Sequence, residues 1–205
     1  MHRKGLSLIL LTLFLVAGAQ AQSAQTATKD DEINLDTQLY LIVGTNQDVG
    51  DSKLPASLDS VIKQLRATLA FKNYRLAATL LNRVKNEGRL DLSWIGGPLA
   101  STMGVATATT PSFSQFKVRQ VKLVQDDGQP IVQMVGFNFG ARIPIQGVGG
   151  IAANGAVLPS FNYENTGIST DISMREGEPV IVGTLNVGPS GDAIILVVSA
   201  KRTAK

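Results

Sequence analysis

The chain has 205 residues, no cysteine, one histidine, and nineteen Lys plus Arg against sixteen Asp plus Glu. That composition excludes a disulfide framework, a thiolate metal site and a thiol nucleophile. The basic excess is no argument for a nucleic-acid partner either, because part of it sits in a segment that reads as a removable leader.

That segment is residues 1–21. Arg3 and Lys4 make a positive start, Leu6 to Val16 an apolar run, and Ala19-Gln20-Ala21 a small-residue cleavage site, which together read as a secretory signal peptide. The apolar run is shorter than the roughly 20 residues a spanning helix needs. Its removal takes away His2, Arg3 and Lys4 and leaves seventeen basic against sixteen acidic side chains, nearly neutral. The expectation is an exported protein, periplasmic or associated with the outer membrane, with no integral span after cleavage and no nucleic-acid partner.

Residues 22–36 are small and polar, with Lys29-Asp30-Asp31-Glu32 at their centre, and read as a flexible leader. Leu39 to Val43 is a compact apolar run with β-branched and aromatic members, expected as a strand before a loop over Gly44 to Leu54. Pro55 suits a helix start, and Leu58, Val61, Ile62, Leu65 and Leu69 recur at helical spacing. From Tyr74 to Val84 alternation suggests a strand, with helix as the alternative because the segment contains good helix formers. Asn86-Glu87-Gly88 reads as a hairpin turn into Leu90, Leu92 and Trp94. Residues 37–97 would form a strand–helix–strand–strand lobe.

Residues 98–112, rich in Ser, Thr, Ala and Gly, are expected as a linker or loop. The β-rich portion, 113–200, starts with Phe116 to Val124 and Ile131 to Phe139, joined by a hairpin at Asp126 to Pro130. Ala141 to Gln146 could extend the second strand, although Pro144 would confine it to an edge. Gly147 to Gly167 reads as a second loop carrying Phe161 and Tyr163. Ile168 to Met174, Val180 to Val187 and Ala193 to Ala200 then form a three-strand meander, and 201–205 a frayed basic tail. The fold class is α+β: the small lobe followed by a mostly antiparallel, sandwich-like β portion.

The chemistry such a chain could carry is restricted. Without His or Cys after cleavage, the commonest bases, nucleophiles and transition-metal ligands are missing. Ser60-Val61-Ile62-Lys63 satisfies S-x-x-K, but no K-T-G run accompanies it, so it reads as a solvated helix face. Gly147-Val148-Gly149-Gly150-Ile151-Ala152 fits a loose dinucleotide fingerprint, but Asn154-Gly155 would break the helix that should follow. Asn46, Asp48, Asp51, Asp126 and Asp127 lack calcium-loop spacing and read as turn residues. No cofactor or metal is expected. Tyr74, Phe116, Phe137 and Phe139 fall at strand positions where core packing is the default; Trp94, Phe161 and Tyr163 are the residues named for partner contact.

Ile168-Ser169-Thr170-Asp171-Ile172-Ser173-Met174, the turn Arg175-Glu176-Gly177-Glu178 and Pro179-Val180-Ile181-Val182-Gly183-Thr184-Leu185 resemble part of the C-terminal core of bacterial secretins, the outer-membrane pores of secretion systems and type IV pili. The resemblance covers residues 167–185, with Thr184 standing where secretins usually show a second glycine. It implies exported β-structure able to pair with other envelope chains. The functional expectation is a non-enzymatic envelope protein that contacts protein partners or itself through sheet edges, as an accessory of a secretion or type IV pilus system. The alternative is a small carboxylate-based hydrolase or glycan-binding periplasmic protein. An outer-membrane barrel is argued against by the few aromatics available for interface girdles.

Overall fold

Period-two alternation becomes strand along most of the chain, and a single 3.6-period stripe becomes a helix. The computed structural model describes residues 33–48, 54–97, 110–147, 149–150, 160–187 and 191–203. The signal peptide and most of the leader, the 98–109 part of the expected linker and the tail residues Ala204 and Lys205 lie outside them. The strands are β1 (Asn34–Thr45), β2 (Asn73–Lys85), β3 (Leu90–Ile95), β4 (Phe113–Asp126), β5 (Gln129–Gly147), β6 (Ser160–Arg175), β7 (Val180–Val187) and β8 (Asp192–Arg202); the helix α1 (Asp59–Thr68) follows a 3-10 turn at Ala56–Leu58. The described structure is mostly antiparallel β with one short helix.

Two four-stranded sheets result, one in the order β2-β1-β8-β7 (sheet A) and one in the order β3-β4-β5-β6 (sheet B). One hydrophobic cluster draws on both: Leu39 and Leu41 from β1, Leu196 and Val198 from β8, and Phe116, Phe137, Phe139 and Met174 from sheet B. Burying large aromatic and aliphatic side chains here is the main stabilising term, at roughly 1.5–3 kcal/mol for each fully buried one. A second cluster lies on the other side of sheet A, where Leu58, Val61, Ile62 and Leu65 cover Tyr40, Ile42, Ile195 and Val197. β8 is therefore apolar on both faces, which is why Ala193 to Val198 reads as an unbroken run and not as an alternation.

Several expectations are corrected by this arrangement. The Asn86 to Gly88 turn does not join paired strands. It carries the chain from sheet A to sheet B, held there by Glu87 N–H donating to the Val121 carbonyl and Leu123 N–H donating to Asn86 Oδ1, both at 2.8 Å. The three-strand meander is likewise split: β6 lies in sheet B, and the turn at Glu176 to Pro179 returns the chain to sheet A, where only β7 and β8 pair. The second loop is shorter than expected, because β6 already begins at Ser160 and contains Phe161 and Tyr163. The leader gives way to β1 at Asn34, and Lys201 and Arg202 belong to β8. Pro144 sits within the single long strand β5. The β4–β5 register ends at Arg142↔Phe113, and Pro144 is paired with Tyr163 of β6.

Other expectations hold. β2 is a strand over its whole length. The β4–β5 connection is a two-residue turn, Asp127 at φ 47° and Gly128 at φ 77°, the left-handed pair that an Asp-Gly hairpin uses.

Candidate functional site

The outward face of sheet B gathers the exposed side chains that stand out. On β4, Phe113, Gln115, Lys117 and Arg119 are exposed while Ser114, Phe116 and Val118 are buried. Directly paired residues of antiparallel strands share a face. Ile95, Phe113, Arg142 and Asn165 therefore form one row across all four strands, and Ser93, Gln115, Gly140 and Gly167 the next.

The second row is low because two of its members are glycines. A Cβ on Gly140 would meet Gln115 Nε2 at 3.0 Å, and one on Gly167 would meet the Phe139 carbonyl oxygen at 2.6 Å. The strands approach closely there, and Gln115 folds across the space. A cleft of about 690 Å³ lies along this face, with Ser93 and Gln115 beside Gly140, and Ile95, Phe113 and Arg142 at its rim. That volume is within the usual range for a ligand cleft, roughly 300–1,000 Å³.

Tyr163 anchors the rim. Its hydroxyl donates to the Pro111 carbonyl at 3.1 Å, its ring lies 6.0 Å from that of Phe113, and the Arg142 guanidinium sits 4.8 Å over it. The stacking holds Arg142 in place without neutralising it. Among the described residues Arg142 has no carboxylate within ion-pair distance. The neighbouring row is already paired, Lys117 with Asp91 at 3.3 Å.

Ile95 and Phe113, side by side, are 69% and 39% exposed. The other large exposed hydrophobic side chain among the described residues, Leu81, stands alone on sheet A near Arg83 and Asp36, whose charges match each other at 2.8 Å. The Arg83 hydrogen bond holds the Asp36 carboxyl below the ordinary range. Lys201 lines the same patch and adds a second positive charge beside Asp36.

Of the three residues named from sequence, Tyr163 is part of this cluster. Trp94 also lines the cleft, while packing half-buried against the core cluster. Phe161 is half-buried near the start of β6. Ile95, Phe113, Gln115, Arg142 and Asn165 were not singled out. Phe116, Phe137 and Phe139 are core residues, with the rings of Phe116 and Phe137 5.3 Å apart. Ser60 and Lys63 lie on the exposed side of α1, Asn46 Oδ1 accepts from Lys72 N–H at 3.1 Å, and Asp126 and Asp127 are exposed at the hairpin tip. No group of three or more His, Cys, Asp or Glu side chains is placed to hold a metal ion among the described residues. Gly147 of the dinucleotide-like stretch ends β5, and residues 151–159 lie outside the described ones.

No protein-family model and no curated protein matches the sequence. The solved structures to which the chain is similar include the Klebsiella pneumoniae type II secretion system outer membrane complex of PulD, PulS and the PulC HR domain, at 12% identity over 84% of this chain and 39% of that one, with a TM-score of 0.33. The InvG secretin-domain β-barrel from the Salmonella SPI-1 injectisome gives 9% identity, 84% and 64% coverage and a TM-score of 0.34. The open-gate InvG secretin gives 12% identity, 84% and 59% coverage and a TM-score of 0.34. The chain thus spans between two fifths and two thirds of the length of these secretin chains.

Proposed function

We propose that this is a non-enzymatic, exported protein of the cell envelope that works by holding a protein partner against the outward face of sheet B. The observation that carries the reading is the exposed Ile95–Phe113 pair flanked by Tyr163 and Arg142, because exposed aromatic and aliphatic side chains beside an arginine are the composition of a protein-binding hot spot. Among the described residues the cleft lining contains no Asp or Glu to serve as the acid and base of a carboxylate-based hydrolase. The sandwich-like placement of the two sheets, supported by the core cluster they share, backs the face rigidly. The secretion-system setting rests on the sequence resemblance of residues 167–185 to the secretin core and makes the partner an envelope component.

Site-specific photo-crosslinking in cells tests this. Ser93→benzoylphenylalanine should capture a discrete envelope protein, whereas the same probe at Lys63, on the exposed side of the helix, should not. Phe113→Ser should reduce capture at position 93 about tenfold, the loss expected for truncating a central interface residue. Equal capture at both positions, or none at Ser93, would overturn the reading.

A further inference from the structure

We infer that the cleft on sheet B receives an acidic segment of the partner chain, with a carboxylate two residues away from an apolar side chain. The inference rests on the proposed protein-binding role of this face and names the chemistry of what binds.

The charge argument is local. Among the described residues Arg142 is the only charged side chain in the lining, no described carboxylate pairs with it, and the Tyr163 ring lies against it. A fixed guanidinium presents parallel N–H donors that match a carboxylate, and a donor already held by packing loses little freedom on binding. A lysine or arginine in the partner would instead face uncompensated like charge.

The spacing follows from the sheet. Neighbouring strands lie about 4.8 Å apart, so the row Ile95–Phe113–Arg142–Asn165 spans about 14 Å. An apolar side chain seated between Ile95 and Phe113 is then about 7 Å from Arg142, which is the distance between same-side residues of an extended chain at about 3.3 Å per residue. The main chain of the central strands β4 and β5 under the cleft is engaged in ladders on both sides, so recognition there falls to side chains: the guanidinium, the Gln115 and Asn165 amides and the Ser93 hydroxyl. This is face binding, distinct from addition of a strand at an edge.

The probe is a fluorescein-labelled dodecapeptide of repeated Leu-Ser-Glu triplets, read by anisotropy against the purified mature chain, with a Leu-Ser-Lys peptide and polygalacturonate as comparators. The Leu-Ser-Glu peptide should bind, Arg142→Gln should weaken it about tenfold, and added salt should weaken it further. Arg142 is exposed, so the variant should keep the parent's unfolding midpoint, and Phe113→Ser should weaken the same peptide by a comparable factor. Binding of both peptides alike, indifference to Arg142→Gln, or preference for polygalacturonate would overturn the inference. If the acidic peptide fails while Ser93→benzoylphenylalanine still captures a protein, the acidic-segment inference falls and the protein-binding reading stands. If capture fails as well, both fall.

Discussion

Glu176 shows how much one side chain can contribute where the chain changes sheets. Its carboxylate accepts from the Arg202 backbone N–H at 2.8 Å and from the Arg202 guanidinium at 2.8–3.0 Å, which pins the β6–β7 turn to the end of β8. The Arg202 side-chain hydrogen bond is the main reason its carboxyl is held below the ordinary range. A depressed carboxylate stabilises the fold at pH values above its unfolded pKa and loses that contribution as the pH falls through the folded pKa. Glu176→Gln should therefore cost about 1 kcal/mol near neutrality, discounted because Arg202 is half exposed, and flatten the acid limb of stability below the ordinary glutamate range. Urea denaturation of both proteins over a pH series checks it; parallel curves would show that the pair contributes nothing. Two glycines offer a sharper contrast. Gly167→Ala puts a methyl 2.6 Å from a backbone carbonyl oxygen and should cost 1 kcal/mol or more, roughly the penalty of overpacking, whereas Gly183→Ala meets only Ile168 Cδ1 at 2.5 Å, a methyl that can turn aside. Thermal midpoints should therefore fall for the first and change little for the second.

At the level of elements, α1 carries a whole side of the molecule. Leu65 is 2% exposed in the cluster that covers Tyr40, Ile195 and Val197, so Leu65→Ala should lose about 2–5 kcal/mol, while Gln64→Ala on the exposed side should stay within about 0.5 kcal/mol. Equal losses in chemical denaturation would mean that the helix is not packed there. The helix was legible because its apolar stripe is local, as were the Asp127-Gly128 hairpin and the continuous run of β8. The Asn86 to Gly88 and Glu176 to Pro179 turns carried the same turn residues, yet each links two sheets. What decides this is capture of the turn by a distant strand, Val121 N–H bonding back to the Gly88 carbonyl and Gly177 N–H to that of Ala200, and no local pattern encodes it. The cleft was illegible for the same reason. Its lining comes from four strands, at positions 93–95, 113–115, 140–142 and 165–166, and only the cross-strand register assembles them. Trp94, named for partner contact, lines the cleft while packing half-buried against the core, and Ile95 beside it is the exposed member of β3.

Among the described residues the first strand pairs with the last. Strands follow one another in order through both sheets, and β1 then pairs with β8, bringing Thr203 N–H onto the Asn34 carbonyl at 2.8 Å. The 37–97 segment expected as a lobe therefore finds its partners elsewhere: β1 in β8, and β3 in β4. Expressed alone, residues 33–97 should show no cooperative unfolding transition, because β1 loses one of its two neighbours and the shared core loses all of β4, β5 and β8. A permutant that joins Thr203 to Ile33 by a short Gly-Ser linker and opens the chain between Val187 and Gly191 keeps every strand pair, so it should unfold in one transition within about 1 kcal/mol of the parent, since joining ends that already touch changes loop entropy little. Both proteins can be followed by circular dichroism in urea. A folded 33–97 fragment together with an unfolded permutant would mean that the chain is two independent lobes; the reverse outcome makes β1–β8 pairing the contact that turns eight strands into one body and keeps the sheet B face rigid behind Arg142.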